Sequence, residues 1–557
     1  MNMHEEINEA LKKAMSGLTE QKPEDVLPAS NPEFGDYSSS VAMSLAREMR
    51  KSPHLIAKEI AQRIGDELSG YDIEVVKPGY INFRAKPERL MSLLGEILDA
   101  GEKYGDGKAD EKIILEYGSA NPTGPLHIGH SRGLIVGSAL DSLLRKAGNR
   151  VKTEYYVNDA GGQVSDLARS VHYRARELAG FPNGDETPPY PGSYIKDIAL
   201  TLINDYPAIV ADPSPDFSPS SELAQMAVEE ALAEIQGVLK QMGIVFDRFV
   251  HESSFPHKDI TALFSDLEKS GDISSCEDGR KVFLSTKYGD DKDRHLMKSD
   301  GSLTYFGNDI FNHHLKCVTP GVGRIISLFG EDHAGYVDRI KGAVTAISGG
   351  ELTLEIPIVR TVHMIKDGKN VTMSKRAGTF ETVEDLINEV APDTLRMSML
   401  MRGPDSSFSF DIDEAKAEGK TSPVWSVNYA NARMNSVLKK ADDLGAGSSE
   451  ATEDMSVEER EVLRITADFP RVIERAAEAL QPHRVVTYAR ELADSVNAWW
   501  TAGMVDEGKR IIQGVPEDDE RRLRVVGAAK QALGEAMRSV GLTPLEEMRA
   551  PEQTPEP

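Results

Sequence analysis

The feature that most constrains the fold is a segment that begins with the apolar run KIILEY, turns through SANPTGPLHIGHSRG, and continues as a helical pattern to Gly148. Ile113, Ile114 and Leu115 form an uninterrupted apolar run, as a strand buried on both faces would. Val136, Leu140, Leu143 and Leu144 instead recur at helical spacing. A second apolar segment, VKTEYYV from Val151, follows the Gly148 stop. Strand, crossover helix and parallel strand are the building block of a doubly wound α/β sheet, whose ligands bind at the carboxyl ends of the strands. The turn is therefore expected to face a ligand. Gly124, Gly129 and Gly133 let backbone approach closely, the N–H groups and positive dipole end at the helix start favour phosphate, and His127 and His130 add donors. An isolated HxxH suits a metal pair or two surface histidines equally well; the Pro-Thr-Gly-Pro-Leu lead-in favours the ligand-facing reading.

At roughly 100–200 residues per domain, a chain of 557 residues implies two to four domains. Two cysteines, Cys276 and Cys317, cannot build a disulfide framework or a four-cysteine zinc site. The start, MNMHEEINEALKKAM, is charged and amphipathic, and no apolar run reaches membrane length, so no membrane association and a cytoplasmic location are expected. A net charge of −26 argues against indiscriminate nucleic-acid binding and requires any such partner to meet local basic surface.

Three parts are expected. Residues 1–105 read as a small α+β domain. Residues 106–395 alternate strand-like and helical patterns, with an insertion at about 170–300 that carries FPNGDETPPYPGSY and ELAQMAVEEALAEIQGVLKQMG. The alternation resumes at RIISLFGEDH, passes through a helix with Val337, Ile340, Val344 and Ile347 on one face, and reaches IPIVRTVHMI. Residues 396–557 are almost wholly helical in pattern, with a disordered tail expected after Met548.

A second signal lies far downstream. After the Asp367-Gly368 turn comes NVTMSKRAGTF, a Ser/Gly-containing loop with Lys375 and Arg376, cationic donors suited to a transient polyanion. Alone, MSKR reads most simply as a solvated basic loop. Paired with PLHIGH in an α/β framework, it resembles the HIGH and KMSKS signatures of class I aminoacyl-tRNA synthetases. EYYVNDAGGQ, YPGSYIKD, DKDRHLMKSDGSLTYFGNDI, GEDHAGYVDRIKGA and GLTPLEEM are similar to segments of the arginyl-tRNA synthetase family in particular, and GDYSSSVAMSLA and KPGYINF to its extra N-terminal domain.

That resemblance implies a Rossmann-type parallel-sheet catalytic domain with an inserted subdomain, a tRNA-binding α+β N-terminal domain and an all-α anticodon-binding bundle. It implies ligation of L-arginine to tRNA(Arg) through an arginyl-adenylate, with ATP as substrate accompanied by Mg²⁺, no metal held by the protein itself, and a monomer. By the same resemblance, His127 and His130 hold phosphate and Lys375 meets pyrophosphate, with Arg376 beside it. Thr372 stands where the family has its first loop lysine, leaving open a contribution from Lys366 or Lys369. Gly124, Gly129, Asp332, His333 and Met373 would complete the ATP site. The arginine pocket would comprise Glu116, Asn121, Tyr305 and Asp309, with Asn158, Asp159 and Gln163 of VNDAGGQ beside them, though NDAGG is also ordinary turn chemistry, since carboxylates match the planar donor fork of a guanidinium. A strand-end charge, a core aromatic and a helix cap are the plainer readings of Glu116, Tyr305 and Asp309. Tyr429, Asn431, Arg433, His483 and Arg484 are the candidates to face tRNA, by stacking and edge hydrogen bonds to unstacked bases; they would equally suit any bundle surface. A small-metabolite nucleotidyltransferase would have no use for so long a helical region. A non-catalytic relative should have lost the histidines and Lys375.

Overall fold

The computed structural model describes residues 3–20, 25–183, 187–370, 382–416, 422–444, 455–514 and 516–548. The tail after Met548 lies outside them. The chain packs as two compact units, one of Lys108–Pro423 with Leu480–Pro482, the other of Met1–Gly107, Val424–Ala479 and His483–Pro557.

The first of these is built on five parallel strands in the spatial order Thr353–Glu355, Arg324–Ser327, Lys112–Gly118, Arg150–Val157 and Arg248–His251. Residues 113–118 are buried without interruption, as the apolar run required, because helices cover both faces of a parallel sheet. The Ser131–Lys146 helix makes the crossover to Arg150–Val157. It ends where Gly148 adopts φ +96°, and the N–H groups of Gly148 and Asn149 close on the carbonyls of Arg145 and Leu144 at 2.9 and 3.1 Å. From the central strand the chain first builds outward to one side and later to the other, leaving a topological switch point between Lys112–Gly118 and Arg324–Ser327.

The region between 170 and 300 is not one insertion. The strand Arg248–His251 lies inside that range and completes the sheet, pairing Glu154 with Arg248 and Val157 with His251. Before it, helices Gly162–Leu178, Ile195–Asp205 and Glu222–Gln241 pack around Leu167, Val171, Ile198, Leu202 and Leu223. After it, a small antiparallel sheet (Ile273–Ser275, Lys281–Phe283, Arg294–His295) packs with helices Tyr305–Cys317 and Val337–Ser348 around Phe283, Ile310, Phe311 and Ile340. The unit also runs past residue 395, because Phe408–Asp411 pairs in parallel with Val362–Lys366.

In the other unit, a four-stranded antiparallel sheet (Leu27–Pro28, Tyr37–Ser39, Tyr80–Ala85, Tyr71–Val76 in order) and its helices join a bundle that includes Trp425–Leu444, Val457–Ala467, His483–Val505 and Pro516–Arg538. The first and last parts of the chain therefore share one unit. Tyr104 donates its hydroxyl to the Thr466 carbonyl (2.9 Å), Gln531 donates to the carbonyls of Ile97 and Gly101 (2.7 Å each), and Arg460 reaches Asp36 and the Ala85 carbonyl. Inside the bundle, the fully buried Glu459 carboxylate accepts from Arg521 and Arg522. Among the described residues no helix is long and apolar enough to cross a membrane.

Candidate active site

At the switch point, His127 stands in extended conformation ahead of the single turn Ile128–His130, which leads directly into the Ser131–Lys146 helix. The rings of His127 and His130 stack with centroids 3.6 Å apart. Both border a cleft of about 410 Å³ with Gly129, Gly133, Asp332 and His333, so the turn and the GEDH segment come together across the sheet ends. Ring donors and helix-start N–H groups converging on one cleft favour a bound polyphosphate. Gly124, expected at the phosphates, is not among the residues that line this cleft. A side chain there would come within 2.9 Å of the Tyr194 ring, and the Tyr194 hydroxyl donates to the Thr123 carbonyl at 2.9 Å, so this glycine lets the inserted helices approach the turn.

Arg132 fixes the helix start. It is buried, donates to the carbonyls of Arg360, Gly403 and Ser406 at 2.7–2.8 Å, and lies over the Phe408 ring; burial pulls its pKa down to about 10. Met373, Lys375 and Arg376 lie outside the described residues, as does Thr372. The chain that follows them is pinned to the histidine turn: Thr382 bridges His127, and the Val383 N–H donates to the Leu126 carbonyl at 2.8 Å. Lys366 is paired with Glu389 at 2.7 Å, and Lys369 is exposed.

Beside this cleft, the ends of three neighbouring strands bring carboxylates together. A bulge in the strand pairing occurs between Glu116 and Gly118. The buried Glu116 accepts from Lys316 at 2.8 Å and Asn312 at 2.9 Å. Burial would raise its pKa, but Lys316, His313 and these hydrogen bonds bring it below the ordinary value. Glu252, from the turn after Arg248–His251, accepts from Tyr156 and Asn308, both at 2.6 Å, and desolvation raises its pKa. That turn is held by Asp159, which accepts from the Ser253 N–H and hydroxyl at 2.8 Å and contacts His251 at 2.7 Å. Asp309 on the Tyr305–Cys317 helix is half-buried. Desolvation lifts its carboxyl to about 7, with the Tyr336 hydroxyl and Lys316 opposing and Glu116 and Glu252 adding to the rise. Neither Glu252 nor Asp309 has an ion-pair partner among the described residues. This cluster thus carries more carboxylate than cation, the complement of a guanidinium. Asn121 and Gln163 meet at 2.8 Å, and Asn158 is half-buried. Tyr305 is 71% exposed at the first position of its helix. Glu252, Asn312 and Lys316 carry no sequence signal of their own; only the topology reveals them.

Family models match the chain in three places: "Arginyl tRNA synthetase N terminal domain" over residues 1–85, "tRNA synthetases class I (R), catalytic domain" over 94–180, and "DALR anticodon binding domain" over 427–548. An arginine--tRNA ligase of Cereibacter sphaeroides is 36% identical over 548 residues, covering 94% of each chain. The chain belongs to the arginyl-tRNA synthetase family. A second relative of that description, from a Jannaschia species, is 36% identical over 553 residues and covers 96% of each chain. The fold agrees with the Thermus thermophilus arginyl-tRNA synthetase at a TM-score of 0.75 and 22% identity, over 98% of this chain and all of that one.

Within the region matching the DALR model, the five residues expected at tRNA part company. Tyr429 stacks on Trp425, with ring centroids 4.3 Å apart, and the Arg433 guanidinium lies 4.2 Å from the Tyr429 ring. Asn431 is buried and donates to the Leu545 carbonyl at 2.9 Å, so it secures the C-terminal segment instead of facing outward. His483 and Arg484 begin the His483–Val505 helix, and Arg484 borders a cleft with Arg464, Arg471 and Arg475.

Proposed function

We propose that this protein ligates L-arginine to tRNA(Arg) in two steps at one site. An arginine carboxylate oxygen attacks the α-phosphorus of ATP, the bond to the bridging oxygen breaks, and pyrophosphate leaves. The terminal ribose 2′-hydroxyl of tRNA then attacks the arginyl carbonyl and AMP leaves, the hydroxyl proton passing to phosphate or solvent. No protein nucleophile is needed. Catalysis rests on positioning and on donors aimed at the charge that grows on the departing pyrophosphate. His127 and His130 supply such donors from the turn, and Lys375, a few residues before Thr382 in sequence, supplies another. Asp332 and His333 take the nucleoside side of the cleft. Mg²⁺ bound with the phosphates would offset part of their charge, and the exposed Glu331 on the cleft wall would be the carboxylate available to it. We further propose that the enzyme acts as a monomer in the cytoplasm.

The observation that carries the reading is the carboxylate excess of Glu116, Glu252 and Asp309 beside a phosphate-type cleft. It selects a cationic amino acid, and the planar donor fork of a guanidinium can bridge more than one carboxylate where an ammonium is a point charge. Charging of total tRNA with a panel of amino acids tests this: arginine should be the one attached, and attachment of lysine or glutamine without arginine would refute it.

A further inference from the structure

Thr372 leaves the TMSKR segment one cation short of the family's signature, and the two lysines upstream do not make up for it at the cleft. Lys366 is committed to Glu389, and neither it nor Lys369 borders the cleft that holds His127 and His130. Among the residues that line it, the Lys and Arg side chains are Arg132 and Arg360. The Arg132 guanidinium is buried and spent on three backbone carbonyls, one of which belongs to Arg360. The backbone of Arg360 is thereby held from both sides, its carbonyl accepting from Arg132 at 2.8 Å and its N–H donating to the Pro404 carbonyl at 2.9 Å. Arg360 directly follows the strand Ile358–Val359, which pairs in parallel with Phe329–Gly330, so it and Glu331 leave adjacent strand ends. The side chain is far less engaged. It is 50% exposed, it makes no hydrogen bond among the described residues, and its one ion pair among them, with Glu331, is stretched to 3.9 Å. A loose, exposed pair of that kind contributes almost nothing to stability and has no need of so rigid a mount.

We infer that Arg360 binds the triphosphate of ATP and stays with the pyrophosphate as it leaves, supplying from a strand end the cation that position 372 lacks. The inference rests on the reading of this cleft as the ATP site and adds a residue to it. The planar donor fork of a guanidinium matches two phosphate oxygens at once, a far better partner than a carboxylate 3.9 Å away. Charge on those oxygens grows as the bond from the α-phosphorus to the bridging oxygen breaks, so the contact is stronger in the transition state than in bound ATP. Without Arg360, the triphosphate would meet Glu331 and Asp332 on the cleft wall while the charge of Arg132 is taken up by carbonyls. A guanidinium also stacks on aromatic faces, but the two contacts are separable, because adenosine offers only the face and pyrophosphate only the oxygens.

Calorimetric titration of the full chain with ATP, pyrophosphate and adenosine tests this. Arg360→Ala should weaken ATP and pyrophosphate by roughly 10- to 150-fold, the range expected for lost hydrogen bonds between charged groups, and should leave adenosine binding as it was. In pyrophosphate exchange with tRNA present, kcat should drop roughly 100-fold, the lower end of the cost of one preorganised donor, with arginine affinity retained. Arg360→Lys keeps the charge without the fork and should recover part of both losses. Transfer of arginine from supplied arginyl-adenylate to tRNA, a step in which no pyrophosphate takes part, should suffer far less than exchange. Thermal unfolding of each variant separates a binding defect from a folding defect. The inference is overturned by a folded Arg360→Ala enzyme that binds pyrophosphate as the parent does. Weakened adenosine binding, or transfer impaired as severely as exchange, would overturn it equally. If the parent binds neither ATP nor pyrophosphate, the ATP reading fails and takes the inference with it; if the parent binds both and the variant matches it, the inference alone fails.

Discussion

Arginine binding should be coupled to release of a proton from Asp309. In the ligand-free protein its carboxyl titrates at about 7, because it is desolvated and shares its surroundings with Glu116 and Glu252. A guanidinium seated between these groups favours the ionised form, so the bound-state pKa must fall well below 7. By linkage, the apparent dissociation constant for arginine then scales as one plus the ratio of protonated to ionised Asp309, which makes binding about twofold weaker at pH 7 and about elevenfold weaker at pH 6 than in alkaline solution. Between pH 8 and pH 6 the loss is about tenfold, or about 1.4 kcal/mol. Calorimetric titration of arginine in two buffers of different ionisation enthalpy measures the protons directly, and about 0.9, 0.5 and 0.1 should be released per arginine at pH 6, 7 and 8. His313 does not interfere, since burial and Lys316 hold it near 4; Glu116 is already ionised. Glu252, also raised by desolvation, is separated by Glu252→Gln, which should lower Asp309 toward its ordinary value and move the midpoint down. Asp309→Asn should abolish the proton release and weaken arginine at every pH. The sign for stability runs the other way. A raised carboxyl contributes its full stability below the unfolded pKa and loses it as pH rises through about 7, so Asp309→Asn should melt at a higher temperature than the parent at pH 8. A flat arginine affinity from pH 6 to 8, with no buffer-dependent heat, would refute the reasoning.

His130→Ala should slow adenylate formation by about 3–4 kcal/mol of lost transition-state stabilisation while leaving arginine affinity nearly intact, as seen in pyrophosphate exchange with tRNA present. Tyr194→Phe removes the hydroxyl that holds the Thr123 carbonyl. It should reduce kcat more than the arginine KM, because the histidine turn would lose one of its tethers. Glu459→Gln strips the charge that Arg521 and Arg522 share in the bundle interior. Breaking such a buried pair costs about 3–5 kcal/mol, which urea unfolding should register, and the arginine KM should not respond.

What could be read from the chain alone depended on how local the cause was. KIILEY declared a strand buried on both faces, and Gly148 declared the end of the following helix, because each is decided by residues a few positions apart. The strand Arg248–His251 was hidden: four residues flanked by polar ones carry too little pattern to stand out from the helices before it, and its place is set by pairing with Arg150–Val157. The shared unit of the first and last segments was equally silent, since Tyr104 and Thr466, or Gln531 and Gly101, meet only after the chain has folded. The arginine pocket falls between these cases. Asp309 and Glu116 are legible as family positions, but what they do is a property of a sum. Glu116 has its charge met by Lys316, whereas Glu252 and Asp309 have no ion-pair partner among the described residues. The imbalance appears only when the ends of Lys112–Gly118, Arg150–Val157 and Arg248–His251 are set side by side with the Tyr305–Cys317 helix above them. A sheet that fixes those ends can hold uncompensated carboxylates in place against their repulsion, which is why the selectivity for a cation belongs to the fold as much as to any residue in it.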